Sequence, residues 1–310
     1  MVNFQIPFEM LKSVKKVGIQ LPDGLKRHAF EIAREIESRG FEVLISGETS
    51  FGACDVDTSI LEEVDCLLHF AHTPILNIDR VIYVPYFIDY DPKIEIEVPE
   101  RKIALISTAQ YVHKLNEVAE WLRKKGYNVE VRAGSGRVRY PGQVLGCNYS
   151  VLRQSEAEAV VFIGDGLFHA IGAAIYTKKK VYAFNPINRE LQEVDAEDFI
   201  RKRYFVVSKC ADRDKVGIIV SSKPGQKRIE VARRLKEEGE KKGIKAHIIY
   251  LNNVRPEELY NLSYDFYVNT ACPRISYDDL ERFEMPVITP QEFEFLIGKR
   301  NDIGLDEIYE

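Results

Sequence analysis

Apolar and polar positions alternate along this chain in a pattern that occurs three times. Each occurrence opens on a short apolar run: Val17-Gly18-Ile19-Gln20, Ile103-Ala104-Leu105-Ile106 and Val216-Gly217-Ile218-Ile219. A charged stretch follows in which apolar residues recur at helical spacing. These are Leu25, Ala29, Ile32 and Ile36; then Val112, Leu115, Ala119 and Leu122; then Ile229, Ala232 and Leu235. Such spacing puts one apolar face on a helix. The helices are closed by Gly40, Gly126 and Gly243, which lie 23, 23 and 27 residues after the strand starts. Glycine just past the last periodic residue is a helix stop signal.

Further apolar runs complete each repeat as β-α-β, loop, β-α-β. The pattern predicts strands near 15–20, 41–46, 65–70 and 80–85, then near 102–107, 127–131, 159–163 and 180–184. The last set lies near 215–220, 245–250, 265–269 and 286–288. Strands alternating with helices imply right-handed crossovers and parallel sheets. The uninterrupted run Ala159-Val160-Val161-Phe162-Ile163 suits a parallel strand covered on both faces. The fold expected is α/β: three homologous parallel-sheet domains, 1–97, 98–208 and 209–310, arranged as a pseudo-threefold triangle around a central site. Polar links near 91–101 and 201–214 separate them, and the acidic tail after Gly298 is left to wander or to pack on a neighbour.

Composition narrows the classes. With 45% hydrophobic and 29% charged residues among 310, the chain reads as globular and large enough for two or three domains. It has no apolar run long enough to span a membrane and no secretory signal at Met1–Pro7, so the expected location is the cytoplasm. A net charge of −5 gives no general attraction to nucleic acid. Five scattered cysteines do not form a disulfide framework.

Three of those cysteines share a setting. Cys54 follows Gly52-Ala53, Cys147 follows Gly142-Gln143-Val144-Leu145-Gly146, and Cys272 follows the strand ending at Asn269. Each lies among small or turn-forming residues beyond a strand, at the edge where α/β sheets place ligands. Cys272 comes after a third strand and the others after second strands, so the positions are analogous in space at best. Cys66 lies within a strand and reads as core; Cys210 reads as core or surface filler. Separations of 93 and 125 residues do not suit a structural zinc site, which uses close cysteine pairs. Three thiolates suit an iron–sulfur cluster with one iron left open.

Five segments together resemble the 2-(3-amino-3-carboxypropyl)histidine synthase family, archaeal enzymes of the first diphthamide step. They are Gly52-Ala53-Cys54-Asp55-Val56-Asp57, His69-Phe70-Ala71-His72-Thr73, Gly142 to Cys147, Gly164-Asp165-Gly166-Leu167-Phe168-His169 and Asn269-Thr270-Ala271-Cys272-Pro273-Arg274. The likeness spans the chain; Ala71 departs from an expected glycine. The resemblance implies a transferase whose [4Fe-4S] cluster is held by Cys54, Cys147 and Cys272. It implies that reductive cleavage of S-adenosylmethionine yields a 3-amino-3-carboxypropyl radical, which is added to a histidine of translation elongation factor 2. It also implies a homodimer and an electron donor. Candidate S-adenosylmethionine contacts are Gln20, Asp23, Gly24, Asp165, Gly166, His169 and Gln226, in or beside the turns 20–24, 164–169 and 223–226. Each of these also reads as a helix-capping turn. His69 and His72 read as ligand-lining or as strand-end polar residues.

Arg132, Arg137 and Arg139, and Lys178 to Lys180, form basic clusters read first as solvated surface, with seating of a protein substrate as the other reading. Three alternatives stay open at this point. One is a quinolinate synthase-like [4Fe-4S] dehydratase, which also joins three α/β domains through three cysteines. The others are a non-catalytic cluster-bearing electron-transfer partner and a cluster-free binding protein. No Gly-x-Gly-x-x-Gly loop supports a nicotinamide site.

Overall fold

A computed structural model describes residues 4–278 and 282–309. The first sheet comprises β1 (Lys16–Gln20), β2 (Glu42–Ile45), β3 (Cys66–Phe70) and β4 (Val81–Val84), with α1 (Ala29–Glu37) between the first two. The second comprises β5 (Lys102–Ser107), β6 (Asn128–Glu130), β7 (Ala159–Ile163), β8 (Lys180–Asn185) and β9 (Glu190–Glu193), with α2 (Leu115–Lys124) and α3 (Phe168–Thr177). After α4 (Glu197–Ser208) the third comprises β10 (Lys215–Ser221), β11 (Lys245–Leu251), β12 (Phe266–Asn269) and β13 (Val287–Ile288). It carries α5 (Ile229–Glu240), α6 (Pro256–Leu259), α7 (Pro273–Asp278) and α8 (Pro290–Leu296).

The strand orders are β2-β1-β3-β4, β6-β5-β7-β8-β9 and β11-β10-β12-β13. All pairings are parallel except β8 with β9, an antiparallel edge that the apolar pattern did not signal because Glu190-Leu191-Gln192-Glu193 is mostly polar. In every sheet the first strand is flanked by the second and third, so the chain reverses its direction of travel between them. Open α/β sheets bind ligands beyond the carboxyl ends of the strands at such a switch point. Registers agree as well: Cys66, Ala159 and Phe266 pair with Val17, Ile103 and Val216.

Two of the helices begin later than their apolar spacing indicates, while α5 begins at Ile229 as expected. Leu25 and Val112 lie in 3-10 turns, Asp23–His28 and Val112–Lys114, that precede α1 and α2. Gly40, Gly126 and Gly243 adopt φ of 92°, 92° and 84°, the left-handed conformation that ends a helix without a Cβ clash. The third core extends upstream of residue 209: Val206 and Val207 of α4 pack with Val216, Ile218 and Phe293, so α4 serves the third sheet. Cys66 and Cys210 are both buried in cores. The segment after Gly298 packs against its own chain: Asp306 is buried against Arg228, and Ile308 donates its N–H to the Cys147 carbonyl. Of its acidic side chains, Asp306 and Glu307 are spent on partners within the chain, Arg228 and the Tyr149 N–H.

Candidate functional site

The carboxyl edges of the three sheets meet at one cavity of about 200 Å³. Cys54, Cys147 and Cys272 all line it, each partly accessible toward the cavity and enclosed by protein elsewhere. Burial pushes all three thiols up, Cys147 to about 11, and the charge of Cys54 adds to the rise at Cys147 and Cys272, in keeping with the wall they share.

Each cysteine reaches the cavity by a different local device. Cys54 sits in a tight turn: Asp55 N–H donates to the Gly52 carbonyl (2.9 Å), and the Asp55 carboxylate accepts from Phe51 N–H (3.2 Å). Cys147 is at the tip of a two-residue hairpin closed by reciprocal 3.0 Å bonds between Leu145 and Asn148. That hairpin is anchored to the end of β5 by Ser107 N–H to Gly142 carbonyl and Val144 N–H to Ser107 carbonyl. Cys272 caps the junction of β12 and α7. There Asn269 accepts from Ala271 N–H (2.9 Å) and donates to the Cys272 carbonyl (2.8 Å) and Ser276 hydroxyl (3.1 Å).

The rest of the wall sets the electrostatics. Arg137 is only 5% exposed and its charge bears on both Cys54 and Cys147. It therefore parts from Arg132 and Arg139, which are exposed, and is no part of a solvated basic surface. Of the other basic cluster, Lys179 donates to the Ser155 and Ala157 carbonyls and Lys180 pairs with Glu193, while Lys178 is 82% exposed. Arg274 lines the cavity with its guanidinium 4.4 Å from the Phe168 ring centroid, paired to Asp278. His72 and His169 also line it; burial holds them neutral, at about 4 and about 3. His72 bonds His69 (2.9 Å), which bonds Gln20 (2.8 Å).

Of the candidate cosubstrate contacts, His169 alone is in the cavity wall. Gln226 points its amide at the Cys54 sulfur, 3.5 Å away. Gln20 is fully buried, with its amide spent on the Thr49 and Asp55 carbonyls, Asp57 N–H and His69. Asp23 and Gly24 are exposed, the carboxylate paired to Lys26; Asp165 and Gly166 are exposed beyond β7. The segment Thr108-Ala109-Gln110, which follows β5, lines the cavity without having been singled out in the sequence. Its place after a first strand was the available signal.

The donor set is soft: three thiols, two neutral imidazoles and no carboxylate among the lining residues. Among the described residues no group of three His, Cys, Asp or Glu side chains converges closely enough for a single metal ion. A polynuclear cluster spans a wider gap than one ion, and two guanidiniums offset the charge of its thiolates, so these residues fit such a group. A cavity of about 450 Å³ between Pro256–Tyr267 and Arg282–Met285 is larger, yet no cysteine or histidine lines it. No helix among the described residues is long and apolar enough to cross a membrane.

Comparison with known proteins agrees with this site. The family model for diphthamide synthesis proteins matches residues 21–307. The 2-(3-amino-3-carboxypropyl)histidine synthase of Pyrococcus horikoshii is 39% identical over 97% of this chain and 92% of its own. The protein of the same name from Methanocaldococcus jannaschii is 28% identical over 96% and 89%. The crystal structure of Dph2 from Pyrococcus horikoshii with a 4Fe-4S cluster superposes with a TM-score of 0.91 at 38% identity, covering 100% of this chain and 95% of that one. The chain thus belongs to the diphthamide synthesis protein family.

Proposed function

We propose that this chain is a 2-(3-amino-3-carboxypropyl)histidine synthase: it transfers the 3-amino-3-carboxypropyl group of S-adenosylmethionine to a histidine of translation elongation factor 2, opening diphthamide synthesis. The observation that carries this reading is the meeting of Cys54, Cys147 and Cys272, from three separate sheets, on one cavity in a chain of this family. Those thiols would hold a [4Fe-4S] cluster. When bound, the cluster supplies the electron that cleaves the sulfonium's bond to the γ-carbon, leaving methylthioadenosine and a carbon radical.

The protein's own contribution is aim, charge and dryness. Arg137 offsets thiolate charge beside Cys54 and Cys147. Arg274 is the cation in the wall suited to the cosubstrate carboxylate, and His169 with Thr108–Gln110 complete that side. Ile75, Val144 and Leu145 keep the wall apolar, which limits side reactions of a reactive carbon. The neutral histidines add no cation to compete with the sulfonium. The chain works as a homodimer with an external electron donor, in three units whose boundaries fall ahead of the 97/98 and 208/209 junctions, since Tyr90, Ile94 and Ile96 pack in the second core and Val206 and Val207 in the third.

The test is anaerobic reconstitution with iron and sulfide, then mixing of the reduced protein with S-adenosylmethionine. Methylthioadenosine release is expected, lost in Cys54→Ala, Cys147→Ala and Cys272→Ala and kept in Cys66→Ala and Cys210→Ala. Dehydratase chemistry without methylthioadenosine would assign a quinolinate synthase-like activity instead, and wild-type behaviour of all three cavity variants would end the reading.

A further inference from the structure

We infer that residues 223–228 and the C-terminal residues 306–308 form a clasp that fixes the relative spacing of the three cavity thiols, with Arg228 and Asp306 as its positioning pair. The inference rests on the cluster-binding reading above and concerns how the three loops, 93 and 125 residues apart at their cysteines, are held together.

The contacts run in one unbroken series. Lys223 Nζ meets Asp55 Oδ1 at 2.6 Å, one residue from Cys54, and both side chains are more than nine-tenths buried. Gly225 lies directly on the Cys54 backbone, so any Cβ there would strike it, and Gln226 Nε2 approaches the Cys54 sulfur. Two residues on, Arg228 Nε donates to the Thr270 carbonyl at 2.6 Å, just before Cys272. The same guanidinium forks onto the Asp306 carboxylate at 2.9 and 2.5 Å. Asp306 N–H takes the Tyr277 hydroxyl oxygen at 3.3 Å. Ile308 N–H then donates to the Cys147 carbonyl at 2.7 Å, and Glu307 accepts from Tyr149 N–H at 3.3 Å. One segment of the third unit therefore touches the first cysteine loop, the third, and through the tail the second.

Two features favour positioning over bulk packing. Lys223, Gln226, Arg228 and Asp306 act through polar contacts with the loops beyond the strands, and Ile308, though buried, lies outside the six apolar clusters of the sheets. Two buried ion pairs within so short a series are also poor sources of stability, because desolvation takes back most of the Coulomb gain. What a bidentate guanidinium–carboxylate pair does supply is direction. A cubane needs three sulfurs at fixed separations at once, and three units joined only by links would each add their own slack.

The full-length wild type, Ile308→Pro, Arg228→Lys and a control, Asp302→Ala on the exposed part of the tail, are reconstituted anaerobically. Iron and sulfide content, iron retention against a chelator, the electron paramagnetic resonance spectrum of the reduced protein and circular dichroism are read. Ile308→Pro removes one N–H together with a buried side chain and so loosens the tail contact as a whole, whereas Arg228→Lys keeps charge while losing the fork. Both are expected to keep wild-type circular dichroism, with iron retention about tenfold weaker, the scale of outer positioning groups around metals, and an altered spectrum. Asp302→Ala should match wild type. Folded Ile308→Pro and Arg228→Lys with wild-type retention and spectrum would overturn the clasp alone; a wild-type chain that takes up no iron would overturn the cluster-binding reading with it. If Ile308→Pro fails to fold, Arg228→Lys decides by the same two outcomes.

Discussion

The first and third sheets place different chemistry at the same address. His69 and Asn269 hold matching register positions in β3 and β12, and three residues further along the chain come His72 and Cys272, both in the cavity wall. In the third sheet the anchor, Asn269, spends its amide on its own junction, bonding Ala271, Cys272 and Ser276. In the first, His69 bridges sideways between Gln20 and His72. The third unit thus builds its thiol into a self-contained strand–helix turn. The first puts an imidazole there and supplies its thiol from the longer loop after β2, braced by Lys223 and Gln226 of another unit. A repeated fold can keep its sheet geometry while each copy solves the problem of presenting a sulfur in its own way.

The strongest way to break this comparison is to remove the support beneath Cys272. Arg203, 2% exposed, donates to both Glu292 oxygens (2.7 and 2.6 Å), to the Ser276 carbonyl and to the Val287 carbonyl. Arg203→Met strands Glu292 and should cost about 3–5 kcal/mol, seen as a large fall in Tm. Asn269→Ala should cost about 1–3 kcal/mol by orphaning buried groups at the junction, and should lower iron loading as well. If it left loading unchanged, the self-contained character of the third junction would be wrong.

Acid should act on the first sheet before the third. Burial holds His69 near about 3 and His72 near about 4, against 6.5 for a free imidazole. A depressed folded pKa means that the unfolded chain binds the proton first, so this stability is full above pH about 6.5 and drains away as the pH falls toward 4. The metal-free protein should lose Tm across that window, and less steeply in His72→Gln; an equal slope in both would exclude the pair as the cause. The smallest effect is expected at Ala71, which adopts φ of 65° in the core beside His72. Ala71→Gly relieves a left-handed backbone but gives up a buried methyl and gains chain entropy when unfolded, so equilibrium unfolding should shift by less than about 1 kcal/mol.

Much of the fold was legible because both of its signals are local. The apolar runs of β1, β5 and β10 and the closing glycines specify strands and helices within a few residues, and the repeat supplies the topology three times. The polar edge β9 and the allegiance of α4 were hidden, since each depends on what packs against it. At the cavity, the small residues beside Cys54 and Cys147 and the strand end before Cys272 are sequence-local and drew attention to those thiols. Arg137 looked like surface because its neighbours Arg132 and Arg139 are; only the folded loop turns it inward. Arg228 and Asp306 lie 78 residues apart, and nothing in either stretch signals the other. Gln20 sat at a promising strand end, but its amide is consumed by partners up to 49 residues away.

The bonding of Gln20 also dictates a tautomer. Its nitrogen donates to two carbonyls, so its oxygen is the atom that receives Asp57 N–H and faces His69 Nδ1. His69 must therefore carry its hydrogen on Nδ1 and offer a lone pair at Nε2, which obliges His72 to carry its hydrogen on Nδ1. With both rings neutral at pH 7, His72 Nε2 keeps its lone pair. A main-chain amide at Asp57 thereby determines, across three side chains, that this imidazole can only accept at its remaining nitrogen.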